Sequence, residues 1–237
     1  VLACIIIFVS VLGIGLGFFH LNLLLVFLSA LLLVVGVISY NIFVGFVRPV
    51  RKNRVPTSDF TQRRWTSVNG CTVARFERWT DKPAPLLIAI HGWQSDSSSS
   101  EKRIAPFLER DYHAVLVDLP GHGSSDGLAI WTAVESGRNV LEMMRDLANV
   151  WDWSQITSVV LLGHSMGGFV SLRFADRFSE VLPKPIKRVY LESPMTSFPM
   201  VYDQRTTGFA IIGRHISRFD LQWAYLRKGP DPELNWS

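Results

Sequence analysis

Charged side chains are missing from the first 47 residues, which contain no Asp, Glu, Lys or Arg, and the first acidic residue of the chain is Asp59. As a helix, such a stretch would extend about 70 Å, roughly twice the hydrocarbon thickness of a bilayer. We therefore predict a transmembrane helical hairpin over residues 1–47, with spans at about 1–19 and 23–44. A secretory signal peptide would need basic residues before one short apolar stretch and a small-residue cleavage site after it, and the sequence shows neither.

Cysteine is scarce as well. The two cysteines, Cys4 and Cys71, exclude a disulfide framework, and reduced thiols suit a cytoplasmic domain. No pair of His, Cys or acidic residues has the spacing of metal ligands. We therefore predict neither a metal ion nor a cofactor, and we interpret Cys71 as a packing residue.

Basic residues follow the predicted second span directly, at Arg48, Arg51, Lys52 and Arg54. Because basic residues beside a span mark its cytoplasmic side, we predict a basic juxtamembrane linker at 48–60 and a cytoplasmic location for everything after it. The same residues can bind anionic lipid head groups. Without these four, the 24 Lys and Arg of the chain fall to 20 and balance its 20 Asp and Glu. A neutral remainder gives no support to nucleic-acid binding.

Apolar strands alternate with helical patterns after residue 60. Asn69-Gly70 between two strand-like segments predicts a hairpin. The polar stretch 94–100, with four consecutive serines, is predicted to be a loop before a short helix at about 101–110. Strands that alternate with helices predict a mostly parallel sheet with helices on both faces. The predicted buried strands are Leu86–Ile90, Ala114–Asp118, Ile156–Leu162 and Lys187–Leu191.

A glycine-flanked serine lies between an apolar strand and a helical pattern, in the segment Gly163-His164-Ser165-Met166-Gly167-Gly168. G-x-S-x-G in this context is typical of a nucleophile elbow. The turn is too tight for side chains two residues before and two residues after the serine. We therefore predict that Ser165 is a nucleophile; a structural serine in a glycine-rich turn is the alternative.

Two further motifs precede the serine segment: His91-Gly92-Trp93, and Asp118-x-Pro120-Gly121-His122-Gly123-x-Ser125-Asp126. The three motifs in this order resemble those of the α/β-hydrolase superfamily, above all bacterial esterases, lysophospholipases and monoacylglycerol lipases. The resemblance covers roughly residues 64–194. It implies an α/β-hydrolase fold over residues 61–237 but says little about the substrate, because the fold hosts many chemistries.

The resemblance also implies roles for individual residues. Ser165 would attack an acyl carbon and form a covalent acyl-enzyme. The oxyanion hole would be made by the backbone N–H groups of Met166 and Trp93. His91 and His122, which sit beside glycines at strand ends, are expected to fold their loops rather than to take part in the chemistry.

The acid and base of the expected triad are less clear. In this family they follow the nucleophile in the order acid, then histidine. Glu192 is the best-placed acid and His215 is the only histidine downstream of Ser165; each is a candidate, with a structural role as its alternative. Residues 195–230 are predicted to be a helical cap. Since no later strand is visible, we expect the rest of the fold, with the usual triad residues, to lie beyond Ser237.

These observations together predict a membrane-anchored serine hydrolase that cleaves carboxylic esters, with the bilayer and an acyl ester as its partners. The anchor alone points to a lipid substrate such as a lysophospholipid or a monoacylglycerol. A serine aminopeptidase, a thioesterase or an acyltransferase would use the same elbow. A non-catalytic binding module tethered to the membrane is the alternative outside the enzymes. No protein partner is indicated.

Overall fold

The computed structural model describes residues 1–50, 54–57, 59–68 and 70–226. Predictions that involve Arg51, Lys52 or Asn69, and those that extend past residue 226, therefore lie outside the described residues. The chain divides into two compact units, one of which contains Val1–Val47 together with the segment from Ser197 onward. The other unit is Arg48–Thr196.

The first unit is helical and the second unit is a sheet with helices. The first contains the helices between residues 2 and 47 and between residues 198 and 226, and the second contains the other elements. In chain order the elements are α1 (Leu2–Phe19), α2 (Leu23–Val47), β1 (Thr61–Thr66), β2 (Thr72–Arg78), β3 (Ala84–Ile90), α3 (Ser97–Leu108), β4 (His113–Val117), α4 (Ala133–Val150), β5 (Ile156–His164), α5 (Met166–Val181), β6 (Ile186–Glu192), α6 (Phe198–Arg205) and α7 (Ile211–Leu226).

The two N-terminal helices match the predicted spans and contact each other through small residues. A Cβ atom added at Gly17 would lie 3.0 Å from the backbone nitrogen of Val26, and one at Gly36 would lie 2.9 Å from the Ile7 side chain. Both helices are long and apolar enough to cross a bilayer. Apart from Val47, the buried positions of the pair are Ala3, Ser10, Gly17, Ser29, Gly36 and Ser39.

The second unit contains a six-stranded sheet in the order β1-β2-β4-β3-β5-β6. β4, β3, β5 and β6 run parallel to one another. β2 is antiparallel to both β1 and β4, so the sheet is mixed. The hairpin predicted between β1 and β2 is present, with Thr66 opposite Thr72, although Asn69 itself lies outside the described residues.

Helices cover both faces of this sheet, as predicted. On one face, α4 and α5 pack on side chains such as Ile88 and Leu161. On the other face, α3 packs through Ile104 against a second apolar cluster that contains Leu87 and Ala89. This alternation along β3 explains its continuous apolar sequence, since successive side chains of a strand point to opposite faces.

The serine-rich stretch is not the predicted loop. It forms the first turn of α3, which begins at Ser97. Asp96 caps this turn, and its carboxylate accepts hydrogen bonds from the Ser99 N–H at 3.2 Å and the Ser98 hydroxyl at 2.6 Å. Serine has a weak preference for helix interiors, but an Asp N-cap satisfies the exposed backbone donors of the first turn.

Candidate active site

Ser165 lies on the sharp turn between β5 and α5. Its backbone has φ 51° and ψ −113°, a conformation that residues other than glycine rarely adopt. Two hydrogen bonds hold this turn: the Ser165 N–H donates to the Glu192 carbonyl, and the Met195 N–H donates to the Ser165 carbonyl, both at 2.9 Å. The strained serine is thus fixed between β5 and the chain that leaves β6, as a nucleophile elbow requires.

The glycines on either side of the serine have no space for a side chain. A Cβ atom at Gly163 would lie 2.5 Å from the Gly167 carbonyl oxygen, and one at Gly167 would lie 2.1 Å from the Ile90 carbonyl oxygen. The obstructing atoms belong to the backbone and cannot rotate away. The close approach of α5 to the ends of β3 and β5 therefore explains the two glycines.

The loop after β3 passes directly beside Ser165. A Cβ atom at Gly92 would lie 3.1 Å from the Ser165 Cβ and 2.9 Å from the His164 Nδ1. The next residue, Trp93, carries one of the two predicted oxyanion donors, and its N–H makes no hydrogen bond to another described residue. The other donor, the Met166 N–H, lies in the first turn of α5, where backbone donors have no partner within the helix.

His91 fixes this loop and is uncharged. Its Nδ1 donates to the Gly92 carbonyl at 2.7 Å, and its Nε2 accepts from the Leu119 N–H at 3.1 Å. Burial lowers the pKa of His91 to about 4, so the imidazole is neutral near pH 7. Both ring nitrogens are occupied by the backbone, which leaves neither to accept a proton from Ser165.

His122 is buried beside the same loop. Its Nδ1 donates to the Pro120 carbonyl at 3.0 Å, and its ring lies 5.1 Å from that of Trp93. Burial, followed by the proximity of His91, lowers the pKa of His122 to about 3. The Nε2 atom has no hydrogen-bond partner among the described residues. An aromatic, uncharged contact with Trp93 is consistent with the predicted loop-folding role.

Asp118, at the end of β4, links the loop that follows β4 to α3 through hydrogen bonds. Its buried carboxylate accepts hydrogen bonds from the Ser97 N–H and hydroxyl, both at 2.7 Å, and from the Ser124 N–H at 2.8 Å. Burial raises the pKa of this carboxyl, and the three donors oppose that rise. A Cβ atom at Gly123 would overlap the carboxylate, which explains the glycine in the motif. The contact of Asp118 with Ser97 was not expected from the sequence, because Ser97 was assigned to a loop.

Glu192 is the last residue of β6, beside the elbow, and its carboxylate forms an ion pair with Arg103. β6 pairs with β5 in a register that places Glu192 opposite His164. Its carboxylate is 50% exposed and accepts a hydrogen bond from the Arg103 Nε at 2.7 Å. Arg103 was not predicted to lie near the site. Among the described residues, no hydrogen bond joins Glu192 to a histidine.

The described structure does not assign a base to Ser165. The Ser165 hydroxyl is half-buried and makes no hydrogen bond to any described side chain. His215 lies in α7, exposed, in the helical unit, whereas Ser165 and Glu192 belong to the sheet unit. The roles of Glu192 and His215 therefore stay predictions. In the described ranges, no three His, Cys, Asp or Glu residues form a group that could hold a metal ion.

Comparison with known proteins identifies the family of the chain. A family profile described as the alpha/beta hydrolase fold matches residues 85–210, more than half of the 237 residues. The "Probable serine hydrolase" of Drosophila melanogaster is 32% identical over 108 residues, 46% of this chain and 31% of that protein. The "Serine hydrolase-like protein" of Mus musculus is 34% identical over 112 residues, 46% of this chain and 33% of that protein. The matched segment thus spans about a third of these relatives.

A solved structure shares the fold. The Pyrococcus furiosus esterase Pf2001 superposes with a TM-score of 0.61 at 18% sequence identity, over 80% of this chain and 71% of that one. At this identity the likeness concerns the fold alone. It places the mixed sheet and its helices in an architecture that is already known.

Proposed function

Because the chain belongs to the alpha/beta hydrolase fold family, we propose that it is a serine hydrolase that cleaves carboxylic esters through an acyl-enzyme on Ser165. The observation that carries the proposal is the strained Ser165 backbone, φ 51°, next to Gly92 and the first N–H of α5. Strain of this kind persists where the surrounding structure fixes it, and it presents the hydroxyl to a substrate. A serine with only a structural role would not need a strained backbone.

The proposed reaction has two steps. The Ser165 Oγ loses its proton to a base and bonds to the acyl carbon, and the bond from that carbon to the alkoxy oxygen breaks, so that an alcohol leaves with the proton. Water then attacks the acyl-enzyme and releases the carboxylic acid. In both steps the Trp93 and Met166 N–H groups stabilise the oxyanion, and loss of one such donor typically lowers turnover by about 10²–10³. Glu192 and His215 are the candidate acid and base within this chain.

A fluorophosphonate probe tests the nucleophile. The complete protein should be labelled, and Ser165→Ala should abolish the labelling. Ser154→Ala, which changes an exposed serine in the turn before β5, should leave labelling unchanged. Equal labelling of the protein before and after Ser165→Ala would remove Ser165 from the mechanism.

The proposed enzyme is also membrane-anchored, with the sheet unit on the cytoplasmic side. Only 17% of the most apolar 18-residue stretch of each helix is buried, whereas a core helix of a soluble protein is mostly covered. The buried positions are small residues and the large apolar side chains point outward, which is the pattern of helices that associate in lipid. Arg48 and Arg54 follow α2, which supports the orientation. The anchor favours a lipid-derived ester such as a lysophospholipid or a monoacylglycerol.

One observation favours a second function, that of a non-catalytic binding module. No described residue offers a base to the Ser165 hydroxyl. A module of this kind would bind an acyl ester without turning it over, and the fluorophosphonate experiment separates the two because it requires an activated serine. A thioesterase, an aminopeptidase or an acyltransferase would pass the same test, and competition between the probe and thioester, peptide or ester substrates would rank them.

A further inference from the structure

Trp93, whose N–H is a proposed oxyanion donor, lies in a tight turn after β3. The Ser95 N–H donates to the Gly92 carbonyl at 3.3 Å, so Trp93 and Gln94 are the two central residues of a four-residue turn. Gln94 has φ 54°, a conformation that residues other than glycine rarely adopt. Such a conformation persists only where the surrounding structure fixes it. The direction of the Trp93 N–H therefore depends on what holds the two ends of this turn.

The entry to the turn is fixed by a histidine and its exit by a carboxylate. At the entry, the His91 Nδ1 donates to the Gly92 carbonyl at 2.7 Å. At the exit, Asp96 follows Ser95 directly, and its side chain is buried. One of its carboxylate oxygens, Oδ1, accepts the two hydrogen bonds that cap α3. The position of the exit then also depends on the group that holds the other oxygen, Oδ2.

Arg54 holds this second oxygen. Its Nε donates to the Asp96 Oδ2 at 3.1 Å, and the two side chains form an ion pair in which Asp96 is 0% exposed and Arg54 is 59% exposed. A carboxylate that is removed from water needs a partner for its charge. Burial lowers the pKa of His91 and of His122, so these neighbours of the turn carry no charge near pH 7. The positive charge beside Asp96 therefore comes from Arg54.

The segment that carries Arg54 is itself fixed on α3. The Thr57 N–H donates to the Glu101 carboxylate at 3.1 Å, and the Thr57 hydroxyl donates to the same carboxylate. Phe60 packs into the apolar cluster that contains Ile104. The Arg54 side chain thus reaches the start of α3 from a backbone that is held three residues further along the chain.

We propose that Arg54 is a positioning residue for the reaction: through Asp96 it fixes the exit of the turn and so the direction of the Trp93 N–H. The inference rests on the hydrolase function proposed above and adds to it a residue that was predicted only as part of the juxtamembrane linker. Loss of one oxyanion donor lowers turnover by about 10²–10³, and a displaced donor loses part of that effect. Arg54 would in this way influence the rate without touching the substrate.

Acylation kinetics test this role. The complete protein in vesicles is mixed with a p-nitrophenyl ester, and the burst of p-nitrophenol gives the acylation rate constant and the half-saturating ester concentration. Arg54→Ala should lower the rate constant at saturating ester about 10-fold and change the half-saturating concentration less than about twofold, because a donor for the transition state is displaced. Arg54→Lys keeps a cation for Asp96 and should recover most of the rate.

Thr57→Ala is the matched control. It removes the hydroxyl contact of the same segment with Glu101 and leaves the ion pair of Asp96 in place, so it should acylate at the rate of the unchanged protein. A double variant tests the route through the carboxylate. Asp96→Asn keeps an oxygen for the cap without the charge, and adding Arg54→Ala to it should change the rate less than about twofold.

Hydrogen exchange reports on the turn without any substrate. In Arg54→Ala, the peptide that contains residues 92–99 should exchange faster than in the unchanged protein, because its exit is less firmly held. Peptides from β5 and α5 should exchange equally in the two proteins. Equal exchange of residues 92–99 in the two proteins would show that Arg54 does not hold the turn and would overturn the inference.

The kinetic outcomes separate this inference from the proposed function. If the unchanged protein is acylated and Arg54→Ala is acylated at the same rate, the inference is wrong and the hydrolase stands. An equal loss in Arg54→Lys or Thr57→Ala, or a loss that appears only as a raised half-saturating concentration, also overturns it. If the unchanged protein is not acylated by any ester, the proposed function fails and the inference fails with it, whatever the exchange of residues 92–99 shows.

Discussion

At the scale of single residues, the site depends on positions where the surrounding backbone determines which residue or conformation fits. Gly167 is packed against the Ile90 carbonyl oxygen, and Ser165 takes a backbone conformation that its neighbours impose. Two histidines beside the loop after β3, His91 and His122, are neutral near pH 7 because burial lowers the pKa of each. The conformation of Ser165 therefore depends on the residues packed around it.

Replacement of Gly167 by alanine should damage the elbow. The added Cβ would lie 2.1 Å from a backbone oxygen, so β3 and α5 must separate. We expect a loss of at least about 1–3 kcal/mol in the free energy of unfolding, typical of overpacking, together with loss of fluorophosphonate labelling. Gly127→Ala is the control, because a Cβ there meets nothing within 4 Å. Equal stability of the two variants in urea unfolding would show that the approach at Gly167 is not as close as described.

The buried histidines should make stability depend on pH. The pKa of His122 is about 3 in the folded protein, below the value of about 6.5 expected for an unfolded chain. The unfolded state therefore takes up the proton first as pH falls, so this contribution is complete above pH 6.5 and is lost as pH falls toward 3. The loss is about 1.4 kcal/mol per pH unit for one proton.

His122→Phe removes that proton and keeps an aromatic ring against Trp93. Between pH 6 and pH 4, the unfolding free energy of this variant should fall less steeply than that of the unchanged protein, by about 1.4 kcal/mol per pH unit. The comparison cancels the carboxylates that titrate in both proteins. Identical slopes would show that His122 is accessible to protons in the folded state.

At the scale of elements, some of the fold could be predicted from local sequence and some could not. The β5–elbow–α5 unit was predictable because its glycines and apolar strand report a local turn. The antiparallel direction of β2 against β4 was not, since the pairing is set by contacts distant in sequence. The start of α3 was missed because four serines resemble a loop until Asp96 is recognised as their cap.

The cap of α3 can be tested directly. Asp96→Ala removes the acceptor for the Ser99 N–H and the Ser98 hydroxyl and also breaks the ion pair with Arg54. We expect a loss of about 0.5–2 kcal/mol in the free energy of unfolding. Asp96→Asn keeps a side-chain oxygen for the cap and should cost less. If Asn is as damaging as Ala, the carboxylate charge rather than the cap holds the start of α3.

At the scale of the whole molecule, sequence and structure agree on two parts of different character. The hairpin could be predicted because the absence of charge over 47 residues is a property of composition alone. The grouping of α6 and α7 with the hairpin could not, because it depends on single contacts such as Gly213 on Ser39. The base for Ser165 also could not be assigned, since neither Glu192 nor His215 is joined to it by a hydrogen bond.

Membrane extraction tests the anchor. After treatment of membranes with alkaline carbonate, the protein should stay in the pellet, because two apolar helices hold it in the hydrocarbon. Leu12→Arg together with Leu31→Arg places two charges in the spans, at a cost of about 2.5–3.5 kcal/mol each, and should shift protein to the supernatant. Leu172→Arg, at an exposed position of α5, should not. Complete release of the unchanged protein by carbonate would contradict a transmembrane hairpin.

The most direct test of the central claim is to trap the acyl-enzyme. The complete protein in vesicles is mixed with a p-nitrophenyl ester, stopped in acid within the first turnover, digested and analysed by mass spectrometry. We predict a burst of p-nitrophenol of about one equivalent per protein, with the acyl group on the peptide that contains Ser165. An acyl group on another residue, or no burst and no adduct, would contradict a hydrolase that works through Ser165.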